Sequence, residues 1–114
     1  MNLENREGPK PKESMARRTA EAFYRRFKDD EELEGMEEEA ALNAIEQAIA
    51  LLETVKDGPR KAFIIRKTYG EEKNLEEIAK ELCKKGPEIG KQRVLELKER
   101  SEKFIIRIAG GKSR

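Results

Sequence analysis

The chain has 114 residues and a mass of 13.1 kDa, room for one small domain and a tail. Charged residues make up 43% of it against 36% hydrophobic, so the core must be small, and 25 basic residues nearly cancel 24 acidic ones for a net charge of +1. The sequence has no His and a single Cys, Cys83. That excludes a Ser-His or Cys-His catalytic pair, an internal disulfide and a multi-cysteine zinc site, so neither an enzyme nor a metal or cofactor is expected. No apolar run has the length of a membrane span or of a signal-peptide core, which makes a cytoplasmic protein without membrane contact the expectation.

The near-neutral total hides a split. Residues 1–58 carry nine basic and fifteen acidic side chains, net −6, whereas residues 59–114 carry sixteen basic and nine acidic ones, net +7. A basic segment is the usual electrostatic footprint of nucleic-acid binding, although basic faces that merely solvate a helix are common.

In chain order, residues 1–14 hold Gly8, Pro9 and Pro11 among charges and predict a disordered arm. A helix is expected from Ser14 as cap, with Ala16, Ala20, Phe23 and Phe27 recurring every three or four residues. The stretch from Asp29 to Glu39 has eight acidic residues in eleven plus Gly35, and reads as a solvated linker whose last carboxylates suit the first turn of the next helix. That helix, about Glu37 to Lys56, has one apolar stripe, Leu42, Ile45, Ile49 and Leu52, widened by Ala41, Ala44, Ala48 and Val55. Lys56-Asp57-Gly58-Pro59 breaks it, with Asp57 or Gly58 as cap and Pro59 in the first turn of a short helix carrying Phe63, Ile64, Ile65 and Tyr69. Asn74 caps the following helix, in which Glu76 and Glu77 occupy the first turn and Leu75, Ile78, Ala79 and Leu82 form one face. Cys83 reads as a small buried hydrophobe. After Lys84-Lys85-Gly86-Pro87 a last helix begins between Pro87 and Gly90 and runs to about Ile108, with Val94, Leu97, Phe104, Ile105 and Ile108 inward. Its other face shows Lys91, Gln92, Arg93, Glu96, Lys98, Arg100, Lys103 and Arg107, and Gly110 and Gly111 stop it.

The expected fold is therefore all-α: a small helical bundle with a charged arm over 1–35, partly disordered or helical, a helical domain over 36–110 and a tail over 111–114. A helix, a tight break and a second helix rich in basic and amide side chains are the ingredients of a helix-turn-helix. Its second helix enters the major groove, where Arg and Lys suit guanine or phosphate and Gln suits adenine.

Arg60 to Gly70 (RKAFIIRKTYG), Asn74 to Leu82 (NLEEIAKEL) and Lys91 to Leu97 (KQRVLEL) resemble region 4 of bacterial sigma factors, and the related domain of phage late-gene regulators of the ArpU and RinA type. The resemblance covers about half the chain. It implies a DNA-binding transcription regulator, phage or prophage encoded, with Gly90 at the start of a long recognition helix, Val94 and Leu97 inward, and Lys91, Gln92, Leu95 and Glu96 toward the groove. Leu95 stands where the family often has a polar reader. Eleven residues, Cys83 to Arg93, separate Leu82 from Val94, about five more than the family pattern has. Lys84, Lys85, Arg93, Lys98 and Arg100 complete the candidate DNA-binding set.

Each feature has a plainer reading. The cations on the last helix also fit a solvated face, and Lys84 and Lys85 fit the negative end of the helix before them. The glutamate pairs 71/72 and 76/77 fit capping and solvation better than carboxylate chemistry. Beside duplex DNA, RNA polymerase is a candidate partner for a protein-interaction module using the Leu42–Leu52 stripe or the Phe23/Phe27 face. A homo-oligomeric, small-terminase-like DNA-packaging subunit is the third alternative.

Overall fold

The computed structural model describes residues 11–86 and 88–111, with the side chains of 11–14 and 85 left aside. Five α-helices appear among the described residues, and no strand: α1 (Pro11–Phe27), α2 (Glu38–Leu52), α3 (Gly58–Ile65), α4 (Leu75–Lys85) and α5 (Lys91–Ala109). The expected arm over residues 1–10 and the tail end at 112–114 lie outside the described residues.

Helix α1 starts at Pro11, so Ser14 lies inside it and is not its cap. A proline's fixed φ and missing N–H suit a first helical turn, which accounts for the earlier start. Residues 11–35 pack into the bundle, with Ala20, Phe23 and Leu33 buried in the same cluster as Leu42, Ile45, Ile49 and Leu52 of α2. Ala16, by contrast, is exposed. Between α1 and α2 the chain makes hydrogen-bonded turns, and Leu33, 1% exposed, pins the acidic linker to the core. Gly35 takes the positive φ of +87° that turns the chain into α2.

Helix α2 ends at Leu52, shorter than the expected Lys56, because residues 53–57 tighten into turns that bond back to Ala50, Leu51 and Leu52. Asp57 sits at the start of α3 in the left-handed region, with no side-chain cap bond, and Pro59 occupies the first turn as expected. Gly58 is wedged against the Leu52 and Glu53 backbone, where a Cβ has no room. The Phe63-Ile64-Ile65 segment is helical and continues into a single π-helical turn, Arg66–Gly70.

That wide turn aims Tyr69 into the core, where its ring packs 5.2 Å from that of Phe23, while Phe23 lies 4.6 Å from Phe27. At Gly70 a Cβ would crowd the Thr19 hydroxyl and the Met15 sulfur of α1, so those side chains would have to shift. Arg17 ties α1 to α2 through Glu39 at 2.7 Å and Glu46 at 3.2 Å, and Arg66 pairs with Glu53.

Two apolar clusters result. The larger joins α1, α2, part of α3, Tyr69 and the far end of α5 (Ile105, Ile106, Ala109). The smaller holds Ile64 of α3, Ile78, Ala79 and Leu82 of α4, Ile89 of the turn, and Val94 and Leu97 of α5. Helix α5 runs through both. Its inward face differs from the expected one: Ile106 is buried, Phe104 and Ile108 are half-buried, and Ser101 and Glu102 lie inside.

Candidate nucleic-acid interface

The pair α4–α5 stands on α3 through the smaller cluster, so three helices frame the interface. Helix α4 is fixed at its start by a capping box: Asn74 Oδ1 accepts from the Glu77 N–H at 2.9 Å, and Glu77 Oε1 accepts from the Asn74 N–H at 3.0 Å. Lys67, on the π turn, reaches Glu71 at 3.1 Å and Glu81 of α4 at 3.3 Å, so the helix is also held along its length. Those carboxylates, the Glu71 bond foremost, raise the Lys67 pKa despite partial burial.

The eleven residues between Leu82 and Val94 are not all turn. Helix α4 continues to Lys85 and α5 begins at Lys91, leaving five residues, 86–90, against the three or four of a common helix-turn-helix. Ile89 in this turn is 9% exposed and packs with Val94 and Leu97. The Ile89 N–H donates to Cys83 Sγ at 3.4 Å, and the thiol lies 3.5 Å from the Ile89 carbonyl oxygen. Cys83 is therefore exposed rather than buried, a polar staple on the turn rather than a core residue. Gly90 is the N-terminal cap of α5 with extended backbone, and Val94 and Leu97 are fully buried.

Of the candidate contact residues, Lys84, Lys91, Gln92, Glu96 and Arg100 are exposed, and Arg93 and Leu95 are half-buried. The Lys85 side chain lies outside the described residues. Lys91 and Gln92 occupy the first turn of α5, which carries no acidic residue, and have no intramolecular partner among the described residues. Arg93 pairs with Glu96 at 3.1 Å along the helix. A shallow hollow of about 340 Å³ beside this turn is lined by Asn74, Leu75, Glu76 and Lys91, so the starts of α4 and α5 face one open space.

Lys98 does not join this surface. Its ammonium pairs with Glu102 Oε2 at 2.8 Å and lies 5.9 Å from the Tyr69 ring centroid. Glu102, 8% exposed, also accepts a bond of 2.5 Å from the Tyr69 hydroxyl. Burial first, and then this bond and the carboxylate charge, push the Tyr69 hydroxyl well above its usual pKa. No local pattern signals this arrangement, since Tyr69 and Glu102 are 33 positions apart and a glutamate on a charged helix face reads as solvated.

The faces considered for a protein-interaction module are used internally: Leu42, Ile45, Ile49, Leu52 and Phe23 are buried in the core, and Phe27 is half-buried against it. Among the described residues no group of three or more Cys, Asp or Glu is arranged to hold a metal ion, and no helix is long and apolar enough to cross a membrane. No protein-family model, curated protein or solved structure matches the chain.

Proposed function

We propose that the protein is a DNA-binding transcription regulator that engages duplex DNA with the α4–α5 pair, the first turn of α5 entering the major groove. The observation that carries this reading is the state of Lys91 and Gln92: exposed, at the start of a helix with no carboxylate in its first turn, and unpartnered among the described residues. Four cations away from this turn, Arg17, Arg66, Lys67 and Lys98, are matched to carboxylates within the fold. An ammonium and an amide held on a rigid helix, with the positive end of the helix dipole behind them, suit phosphate oxygens and base edges.

In this reading Lys91 and Gln92 lead, Arg93 exchanges Glu96 for the nucleic acid, and Lys84 and Arg100 neutralise flanking phosphates. The +7 charge of residues 59–114 supplies the long-range attraction. A source in a phage or prophage, and a role at late promoters, follow only from the resemblance to sigma region 4 and remain part of the proposal.

The test is fluorescence anisotropy on duplexes from the DNA flanking the protein's own gene, across a salt series. Binding that weakens steeply with salt is expected, with each phosphate contact contributing about 0.9 to the log–log slope. Changing Lys91, Gln92 and Arg93 together to Ala is expected to lower affinity about a hundredfold. Unchanged binding by that variant refutes the site.

A further inference from the structure

Two clefts of about 320 and 380 Å³ lie side by side and share Asp30, Lys103 and Ile106. Together they form one trough between the acidic linker and the C-terminal half of α5, away from the α5 start. Phe27 and Ile106 give it an apolar floor. Its linker wall is Asp30, Glu31 and Glu32, and its helix wall is Glu99, Lys103 and Arg107.

Of the carboxylates that line the trough, Glu102 is held by Lys98 and the Tyr69 hydroxyl, and Asp30 accepts from the Glu32 N–H. Glu31 and Glu99 are exposed and without a bonded partner among the described residues, and Glu32 Oε1 is shielded from solvent with no hydrogen-bond partner. The exposed carboxylates of the trough can each accept a charge-assisted hydrogen bond from an incoming guanidinium or ammonium.

We propose that this trough docks a basic amphipathic segment of a partner protein. A large apolar side chain of that segment rests on Phe27 and Ile106, and the Arg or Lys residues beside it meet Asp30, Glu31 and Glu32. Charge complementarity selects this occupant: phosphate-bearing ligands are repelled by the carboxylates, and a purely apolar segment leaves them unmatched. Lys103 and Arg107 meet a carboxylate or the C-terminal carbonyls of the docked segment, which sets its direction. From Lys91 to Glu99 the helix rises about 12 Å, so this trough and the α5 start can be occupied together. The inference does not rest on the DNA reading.

The experiment selects random twelve-residue peptides displayed on phage against the full chain, with counter-selection on a Glu31→Lys/Glu99→Lys double variant. Both positions are exposed, so the fold is retained, and circular dichroism verifies it. Enriched peptides are expected to carry a Leu, Phe or Trp flanked by Arg or Lys. As synthetic labelled peptides they should bind the double variant at least tenfold more weakly than the parent chain, and bind Lys91→Ala/Gln92→Ala unchanged. No enrichment, enrichment of acidic or uncharged peptides, or equal binding to the double variant overturns the proposal. A dimer of the chain alone in sedimentation, dissociated by the same two changes, also overturns it by assigning the trough to a second copy. Duplex-DNA affinity of the double variant is measured in parallel, so failure at one surface is distinguished from failure at the other.

Discussion

Tyr69→Phe removes one oxygen from the molecule's buried polar centre, and its effect should depend on pH in a calculable way. In the folded protein the hydroxyl donates a 2.5 Å bond to Glu102, which is 8% exposed and otherwise held by Lys98. Losing a hydrogen bond to a buried carboxylate costs about 2 kcal/mol near neutral pH. In the unfolded chain a tyrosine ionises near pH 10, whereas burial and Glu102 hold Tyr69 protonated to higher pH. The folded pKa is raised, so the stability from this group is complete below about pH 10 and is lost as pH rises toward the folded value. At about pH 11 the unfolded tyrosine is about nine-tenths ionised, and linkage removes about 1.4 kcal/mol of the parent protein's stability. Phenylalanine has no such proton, so the gap between parent and variant should narrow from about 2 kcal/mol at pH 8 to under about 1 kcal/mol at pH 11. Urea unfolding followed by far-UV circular dichroism at the two pH values measures it. An equal gap at both would refute the account of Tyr69 as a buried donor.

Asn74→Ala removes the reciprocal capping bonds of α4 and should cost about 1 kcal/mol, read by urea unfolding. Leu33→Ala should cost about 3 kcal/mol if the linker is anchored as described, whereas a solvated linker would show almost no change. Gly58→Ala forces a methyl into the Leu52 and Glu53 backbone and should lower the thermal midpoint by several degrees for each kcal/mol of strain, about 4–8 °C in a domain of this size. Lys84→Ala should weaken DNA binding almost equally across sequences and reduce the salt slope by about 1, whereas Gln92→Ala should act on sequence preference.

Local signals in the sequence were strong where the structure depends on local chemistry. The Leu42-Ile45-Ile49-Leu52 stripe and the Asn74 cap follow from spacing and residue type within a few positions, whereas local signals place the start of α5 only between Pro87 and Gly90. What escaped depends on partners far along the chain. Leu33 looked like an isolated apolar residue in an acid run because its cover comes from other helices. Spacing alone puts Lys98 on the charged face of the last helix, whereas the tyrosine that draws it and Glu102 inward arrives from the π turn. Cys83 has an apolar residue's composition but a donor within reach, the Ile89 N–H, which only the fold of the turn reveals. The same limit applies to the candidate interface: Lys91 and Gln92 are where the spacing put them, whereas membership of Lys98 in that surface was decided by packing.

Helix α5 belongs to both apolar clusters, and 19 residues make it a rod about 28 Å long. Its far end is clasped where Gly110 abuts the Glu32 backbone and Ile106 lies beside the linker. The opposite end is not free to swing, since Val94 and Leu97 lie fully buried in the smaller cluster, so the rod ties the acidic linker and the α5 start into one rigid unit.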